Sequence, residues 1–242
     1  MAATDRTDPA GIAVVDKVAG MTSHDVVARA RKALGTRKVG HSGTLDPDAT
    51  GVLLLGVGPA TRLLRFLTDL TKTYTAEIVL GAETDTLDAS GEVTATHDMG
   101  GVGIDEVRAA AATLTGDIEQ VPPMVSAVRV GGRRLHELAR EGEEVEREAR
   151  PVTVHRFGVE ATDDPLVYRA TVVCSSGTYV RTLAADLGTA LGGGAHLRRL
   201  RRTAVGSFTD ADAHPVDEIV VLPPAEGLRD YPAVPVLSLI HI

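Results

Sequence analysis

Residues 40–51 read Gly40-His41-Ser42-Gly43-Thr44-Leu45-Asp46-Pro47-Asp48-Ala49-Thr50-Gly51 and run directly into Val52-Leu53-Leu54-Leu55. Glycines and a proline leave the first stretch without a helical or strand period. The second is an apolar run that reads as a buried strand. A polar loop feeding a buried strand is rigidly held, so any fold open to this chain must seat that loop. Pro47 fixes its own φ and confines Asp46 to extended conformations. Gly40, Gly43 and Gly51 let other backbone or a ligand come close.

The rest of the chain supplies the frame. Ile12-Ala13-Val14-Val15 reads as another buried strand. Ser23 is the expected N-cap of a helix that carries Val26, Val27, Ala30 and Leu34 at helical spacing and stops at Gly35. Residues 61–67 read as helical. In residues 72–80, Tyr74, Ala76, Ile78 and Leu80 alternate with other residues, the pattern of a half-buried strand. Residues 83–91 form a turn-rich acidic segment, and Asp105 is the expected cap of a helix with Val107, Ala111 and Leu114 on one face. Residues 152–159 and 167–174 read as strands, the second with Tyr168, Ala170, Val172 and Cys174 on one side. Leu183, Leu187 and Leu191 mark a helix that Gly192-Gly193-Gly194 ends. Residues 124–150 read as an insertion with a turn at Gly131-Gly132, a short helix over 133–140 and a charged arm over 141–148. Strands and helices mix without a steady βαβ rhythm, which predicts an α+β fold rather than a doubly wound sheet.

The net charge is −8, from 25 basic and 33 acidic residues, which taken alone argues against nucleic acid. Its distribution reverses that. Residues 83–120 hold 1 basic and 9 acidic residues, and residues 203–242 hold 1 and 6. The remainder is mildly basic, with clusters at Arg29/Arg31/Lys32/Arg37/Lys38, Arg133/Arg134 and Arg198/Arg199/Arg201/Arg202. Local patches, more than net charge, decide phosphate contact; taken singly, each cluster also reads as a solvated face. Cys174 is the single cysteine, which excludes an intrachain disulfide framework and a cysteine zinc cage. No window reaches the ~20 apolar residues of a membrane span and no secretory h-region is present, so a cytoplasmic protein is expected. Phosphate-loop, dinucleotide, zincin and serine-hydrolase motifs are all missing.

Read residue by residue, the candidates keep two readings each. Asp46 is either a nucleophile or base, or a carboxylate that only bonds its own turn. His41 is a substrate contact or a structural hydrogen-bonder, and His41, Asp46 and Asp48 together make a weak metal site. Tyr74 is core or a stacking platform for a base. Arg181 is a surface residue or, turned inward, needs a carboxylate partner. Lys17 beside Asp16 reads as an exposed pair, and Asp48 is expected to face solvent.

Several segments resemble, in chain order, the TruB family of tRNA pseudouridine synthases, which modify uridine 55 in the T loop. Besides residues 40–51 they are Asp16-Lys17-Val18-Ala19-Gly20-Met21-Thr22-Ser23, Lys72-Thr73-Tyr74, Thr84-Asp85-Thr86-Leu87-Asp88, residues 116–123, Ala149-Arg150-Pro151-Val152, residues 174–181 and residues 194–202. The resemblance implies a pseudouridine synthase fold, with a mixed, mainly antiparallel sheet flanked by helices and an RNA-gripping insertion at 124–150. It implies Asp46 as the catalytic aspartate, paired with Arg181 and assisted by Tyr74. It implies substrate contacts from His41, Tyr74, Asp88, Tyr179, Leu200 and Lys17. Arg133, Arg134, Arg201 and Arg202 are expected on the RNA backbone. No cofactor and no metal are expected; the partner is the tRNA T stem-loop, met by a monomer without a membrane or an obligate protein partner. The alternative is a non-catalytic tRNA-binding folding factor.

The expected organisation is a disordered extension over 1–10, a catalytic domain over 11–236 and a foreign tail over 237–242. That tail, Leu237-Ser238-Leu239-Ile240-His241-Ile242, equals the in-frame translation of a transposon-end sequencing adapter. A PUA-like domain, usual in bacterial relatives, is accordingly expected to follow in the natural protein.

Overall fold

A computed structural model describes residues 9–233 except 127, 136, 137, 139, 140 and 144, and the side chains of 129, 130 and 134 are also outside the description. The expected tail lies outside the described residues, as does nearly all of the expected N-terminal extension.

The chain forms, in order, β1 (Gly11–Lys17), α1 (Ser23–Leu34), β2 (Val39–His41), β3 (Thr50–Val57), a short 3-10 turn, α2 (Leu64–Thr68), β4 (Lys72–Leu80), β5 (Ala82–Thr84), β6 (Val93–Thr96), α3 (Ile104–Thr113) and β7 (Gly116–Gln120). A small hairpin of β8 (Arg129–Val130) and β9 (Arg133–Arg134) follows. Then come β10 (Arg150–Ala161), β11 (Val167–Cys174), α4 (Val180–Ala190), β12 (Ala195–Val205) and β13 (Phe208–Thr209). One sheet runs β1-β3-β12-β4-β11-β10-β7, with β2 also on β3 and β13 also on β12. Every pairing in it is antiparallel except β3 with β12. This is the mixed, mainly antiparallel α+β sheet expected.

Period two explains how the sheet is filled. In β1 and β3, Ala13, Val15, Leu53, Leu55 and Val57 pack on Val26, Val27 and Ala30 of α1. The alternate residues Ile12, Val14, Val52 and Leu54 pack on Leu67 and Phe208. In β4, Tyr74, Ala76, Ile78 and Leu80 join Tyr168, Ala170, Val172 and Cys174 of β11 in a core closed by Leu183 and Leu187 of α4. The opposite face of β4 is open and becomes the floor of a groove.

The structure corrects four local expectations. The N-cap of α1 is Thr22, whose hydroxyl accepts the Asp25 N–H at 3.1 Å while Asp25 takes the Thr22 N–H at 2.9 Å. Ser23 is freed for another task, given below. The N-cap of α3 is Gly103, whose N–H goes to the Glu106 carboxylate at 2.8 Å, with Asp105 in the first turn. Arg133 and Arg134 are extended, paired to Arg129 and Val130 across Gly131 and Gly132, so the helix expected over 133–140 does not include them, while Leu135 and Leu138 are helical as expected. Finally, residues 195–205, read only as a basic cluster, are a central strand. Its arginines are matched by Glu77, Asp16, Asp210 and backbone carbonyls, which is how so charged a segment occupies the middle of a sheet.

Gly51 marks a tight joint. It sits at φ +101° where β3 meets β12, and a Cβ there would lie 2.2 Å from the Arg202 carbonyl oxygen. Gly51→Ala should cost about 3 kcal/mol, through the left-handed backbone and the parting of two strands, as read by urea denaturation.

Candidate active site

The loop between β2 and β3 is held from below by side chains that accept or donate to its backbone. Ser23 Oγ accepts the Leu45 N–H at 2.9 Å and donates to the Leu45 carbonyl at 3.2 Å. Lys17, 1% exposed, donates to the carbonyls of Pro47 at 2.8 Å, Ala49 at 2.5 Å and Val18 at 3.1 Å. Arg202, 2% exposed, donates through Nε to the Val52 carbonyl at 2.7 Å and through Nη2 to that of Gly43 at 3.3 Å. Burial lowers the Lys17 pKa to about 8, against the opposing pull of Asp48 and Asp46. With backbone fixed on both sides, the side chain of Asp46 has few places to go.

It meets Arg181. The guanidinium reaches both carboxylate oxygens, Nε to Oδ2 at 3.0 Å and Nη2 to Oδ1 at 3.3 Å. Arg181 lies in the first turn of α4, is 3% exposed, and also donates to the carbonyls of Thr86 and Val125, each at 2.8 Å. Asp88 Oδ2 stands 3.5 Å from its Nε. One side chain thus ties together α4, the Asp46 loop, the turn after β5 and the start of the insertion. The Asp46 carboxylate is open on one side, yet burial still raises its pKa; Arg181 opposes this and Asp88 adds to it. The approach to α4 is fixed by Gln120, 2% exposed, whose amide accepts the Tyr179 N–H at 2.7 Å and donates to the Tyr179 carbonyl at 3.1 Å.

Two hollows meet at Asp46, Arg181 and Leu200. The inner one, a cavity of about 210 Å³, is lined also by Tyr74, Lys72, Tyr179 and Arg202. Tyr74 is 8% exposed, and burial raises its phenol pKa. The outer one is a groove of about 870 Å³ bordered by Asp88, Glu77, Arg169, Arg198, Arg199 and Arg201. A ring-sized chamber, a carboxylate charge-paired at its mouth and an arginine-rich trough outside suit a planar base attached to a phosphate chain.

The structure brings together Asp46, Arg181, Tyr74, Tyr179, Leu200 and Asp88, and separates the other expected residues from them. Lys17 is neither exposed nor in the cavity; it pins the loop from beneath. His41 lines neither hollow: its Nδ1 accepts the Gly43 N–H at 3.3 Å and its ring meets the edge of His24 with centroids 5.3 Å apart. Arg202 cannot face an RNA backbone because its guanidinium is buried on protein carbonyls. Arg201 borders the groove but is spent on Asp16, at 3.0 and 3.2 Å, and on Asp210 at 2.8 Å. Arg133 is at the hairpin, 2.6 Å from Glu141; the Arg134 side chain lies outside the described residues. Asp48 is exposed, as expected. Among the described residues no three His, Cys, Asp or Glu side chains converge as metal ligands. No described helix is long and apolar enough to cross a membrane. Ser23, Gln120, Lys72 and Arg169 were missed from sequence; each is an ordinary polar residue until the fold places it.

Residues 31–180 match the family described as TruB family pseudouridylate synthase (N terminal domain), and residues 181–223 match the tRNA pseudouridylate synthase B C-terminal domain. The chain is 59% identical over 222 residues to tRNA pseudouridine synthase B of Nocardia farcinica, covering 90% of this chain and 72% of that protein. It is 58% identical to the same-named protein of Rhodococcus jostii, covering 88% and 72%. Among solved structures it is similar to a chain of a Cbf5-Nop10-Gar1 complex, at 30% identity and TM-score 0.64 over 87% of this chain. It spans 56% of that chain, just over half its length. The protein belongs to the TruB family of pseudouridylate synthases, which are isomerases.

Proposed function

We propose that this protein converts uridine 55 in the T loop of tRNA to pseudouridine, with Asp46 as the essential carboxylate. The observation that carries the reading is the two-point Asp46–Arg181 pair set where a base-sized cavity opens onto an arginine-lined groove. Identities of 52–59% to curated tRNA pseudouridine synthases B, against 27–30% to chains of H/ACA RNP and Cbf5–Nop10 complexes, support free tRNA as substrate and a chain that works alone.

The reaction breaks the bond from C1′ to N1, joins C1′ to C5, and moves the C5 proton so that N1 ends protonated. The target base leaves its stack at a cost of a few kcal/mol, offset by contacts in the cavity. Tyr74 and Leu200 hold the ring, and the walls of the chamber keep the loose uracil from escaping. Asp46 acts on the ribose, with Arg181 keeping it ionised away from bulk water. The hairpin of 129–134 lies in the insertion that grips the stem.

An unmodified tRNA transcript carrying tritium at uridine C5 tests this. Release of one equivalent of tritium is expected, and none when position 55 is cytidine. Tight binding without release would establish the folding-factor alternative instead.

The groove yields a second expectation. Arg199 borders the groove with its side chain 77% exposed. Arg199→Ala should weaken tRNA binding and flatten the log–log salt slope by about 0.9 for each phosphate no longer neutralised. Arg202→Gln should instead lower the unfolding midpoint and leave the salt slope alone, in filter binding across a salt series.

A further inference from the structure

Lys72 opens β4 on the face that carries Tyr74, one strand repeat of roughly 6.6 Å away. It is 5% exposed and lines the inner cavity. Its ammonium makes one hydrogen bond among the described residues, to the carbonyl of Thr68 at the end of α2, and has no ion-pair partner there. An ammonium has three donors, so two remain for whatever enters the cavity. Capping one carbonyl of a five-residue helix offsets little of the cost of burying a charge.

The other cations on the cavity wall are committed. Arg181 is spent on Asp46, Thr86 and Val125, and Arg202 on Val52 and Gly43. Asp46 and Lys72 both line this cavity, and no ion pair joins them among the described residues. A nucleoside held with its C1′ at Asp46 would place its base in the cavity that Lys72 lines.

Building on the pseudouridine reading above, we propose that Lys72 is a catalytic residue that neutralises the uracil ring while it is detached from the ribose. When the C1′–N1 bond breaks with its electron pair left on the base, the negative charge spreads over N1, O2 and O4. It stays there until C5 bonds to C1′; the C5 proton is then lost and N1 protonated, so the product is neutral. A preorganised ammonium at a ring oxygen stabilises that interval and does nothing for phosphate binding in the groove.

Two variants and a pH series test this with intact protein and tRNA. Lys72→Met should bind tRNA as wild type does and lose about 100-fold in single-turnover rate, while Lys72→Arg should keep part of the rate. Burial lowers the Lys72 pKa to about 8, against Asp69 and the Cys174 thiol and together with Arg202. Since the protonated form is the active one, wild-type kcat/KM should fall as pH rises through about 8. Lys17 titrates in the same range, so Lys72→Arg assigns the effect: a guanidinium abolishes a limb owned by Lys72 and leaves one owned by Lys17. Lys72→Met at a rate within threefold of wild type, or a limb unchanged in Lys72→Arg, would overturn the assignment while leaving the pseudouridine reading intact. If Lys72→Met does not fold, the Lys72→Arg profile decides alone. Wild-type protein that releases no tritium removes both.

Discussion

Asp46→Asn should abolish turnover while leaving tRNA bound. Asparagine matches aspartate in shape, and the loop that carries it is held by Lys17, Ser23 and Arg202 through backbone atoms that the substitution leaves in place. The groove arginines proposed to meet phosphate are elsewhere. What disappears is the negative charge at the ribose, and with it a nucleophile or base, for which a loss of about 10⁴-fold or more is the usual scale. Single-turnover tritium release with excess enzyme measures the first part, and filter binding the second, where a change under about threefold is expected. More than a hundredth of the wild-type rate would show that the carboxylate is dispensable.

Arg181→Lys should also be severe, although the charge is kept. An ammonium cannot reach both Asp46 oxygens and also the carbonyls of Thr86 and Val125. Each abandoned carbonyl costs about 1 kcal/mol, so the unfolding midpoint should drop along with a rate loss of roughly 10²–10³-fold. A pH signature separates the two effects. Burial raises the Asp46 pKa and Arg181 opposes that rise. The ionised carboxylate is the active form, so activity is present above its pKa and lost as pH falls through it. Weakening the pair should move that acid limb to higher pH. A variant that is less stable but keeps the wild-type limb would mean that Arg181 supports the fold and not the charge of Asp46.

Much of this site was legible because local rules and a resemblance covering most of the chain agreed. The alternation of Tyr74, Ala76, Ile78 and Leu80 placed Tyr74 on an inward face, and the structure has it there. What failed did so where an arginine, lysine or histidine has the same local signature buried as exposed. Lys17 and Arg202 sit beside other charges in sequence, and nothing in their spacing says that carbonyls from distant strands will surround them. The resemblance implies His41 as a contact of the base; in the folded chain its ring stands against His24 and accepts the Gly43 N–H.

By itself the sequence determined the elements whose burial repeats at a period, the stiff Gly-Pro loop with Asp46, and the family to which these motifs belong. Those features depend on neighbours within a few residues, where φ preferences and apolar spacing operate. Only the tertiary structure decided that residues 195–205 cross the centre of the sheet, that Ser23 and Lys17 serve the loop, and that Lys72 ends against the inner cavity with donors to spare. Each of those outcomes turns on which carbonyl or carboxylate a polar side chain meets across tens of residues. A long-range pairing of that kind is specified by the packing of the whole sheet and leaves no periodic trace along the chain.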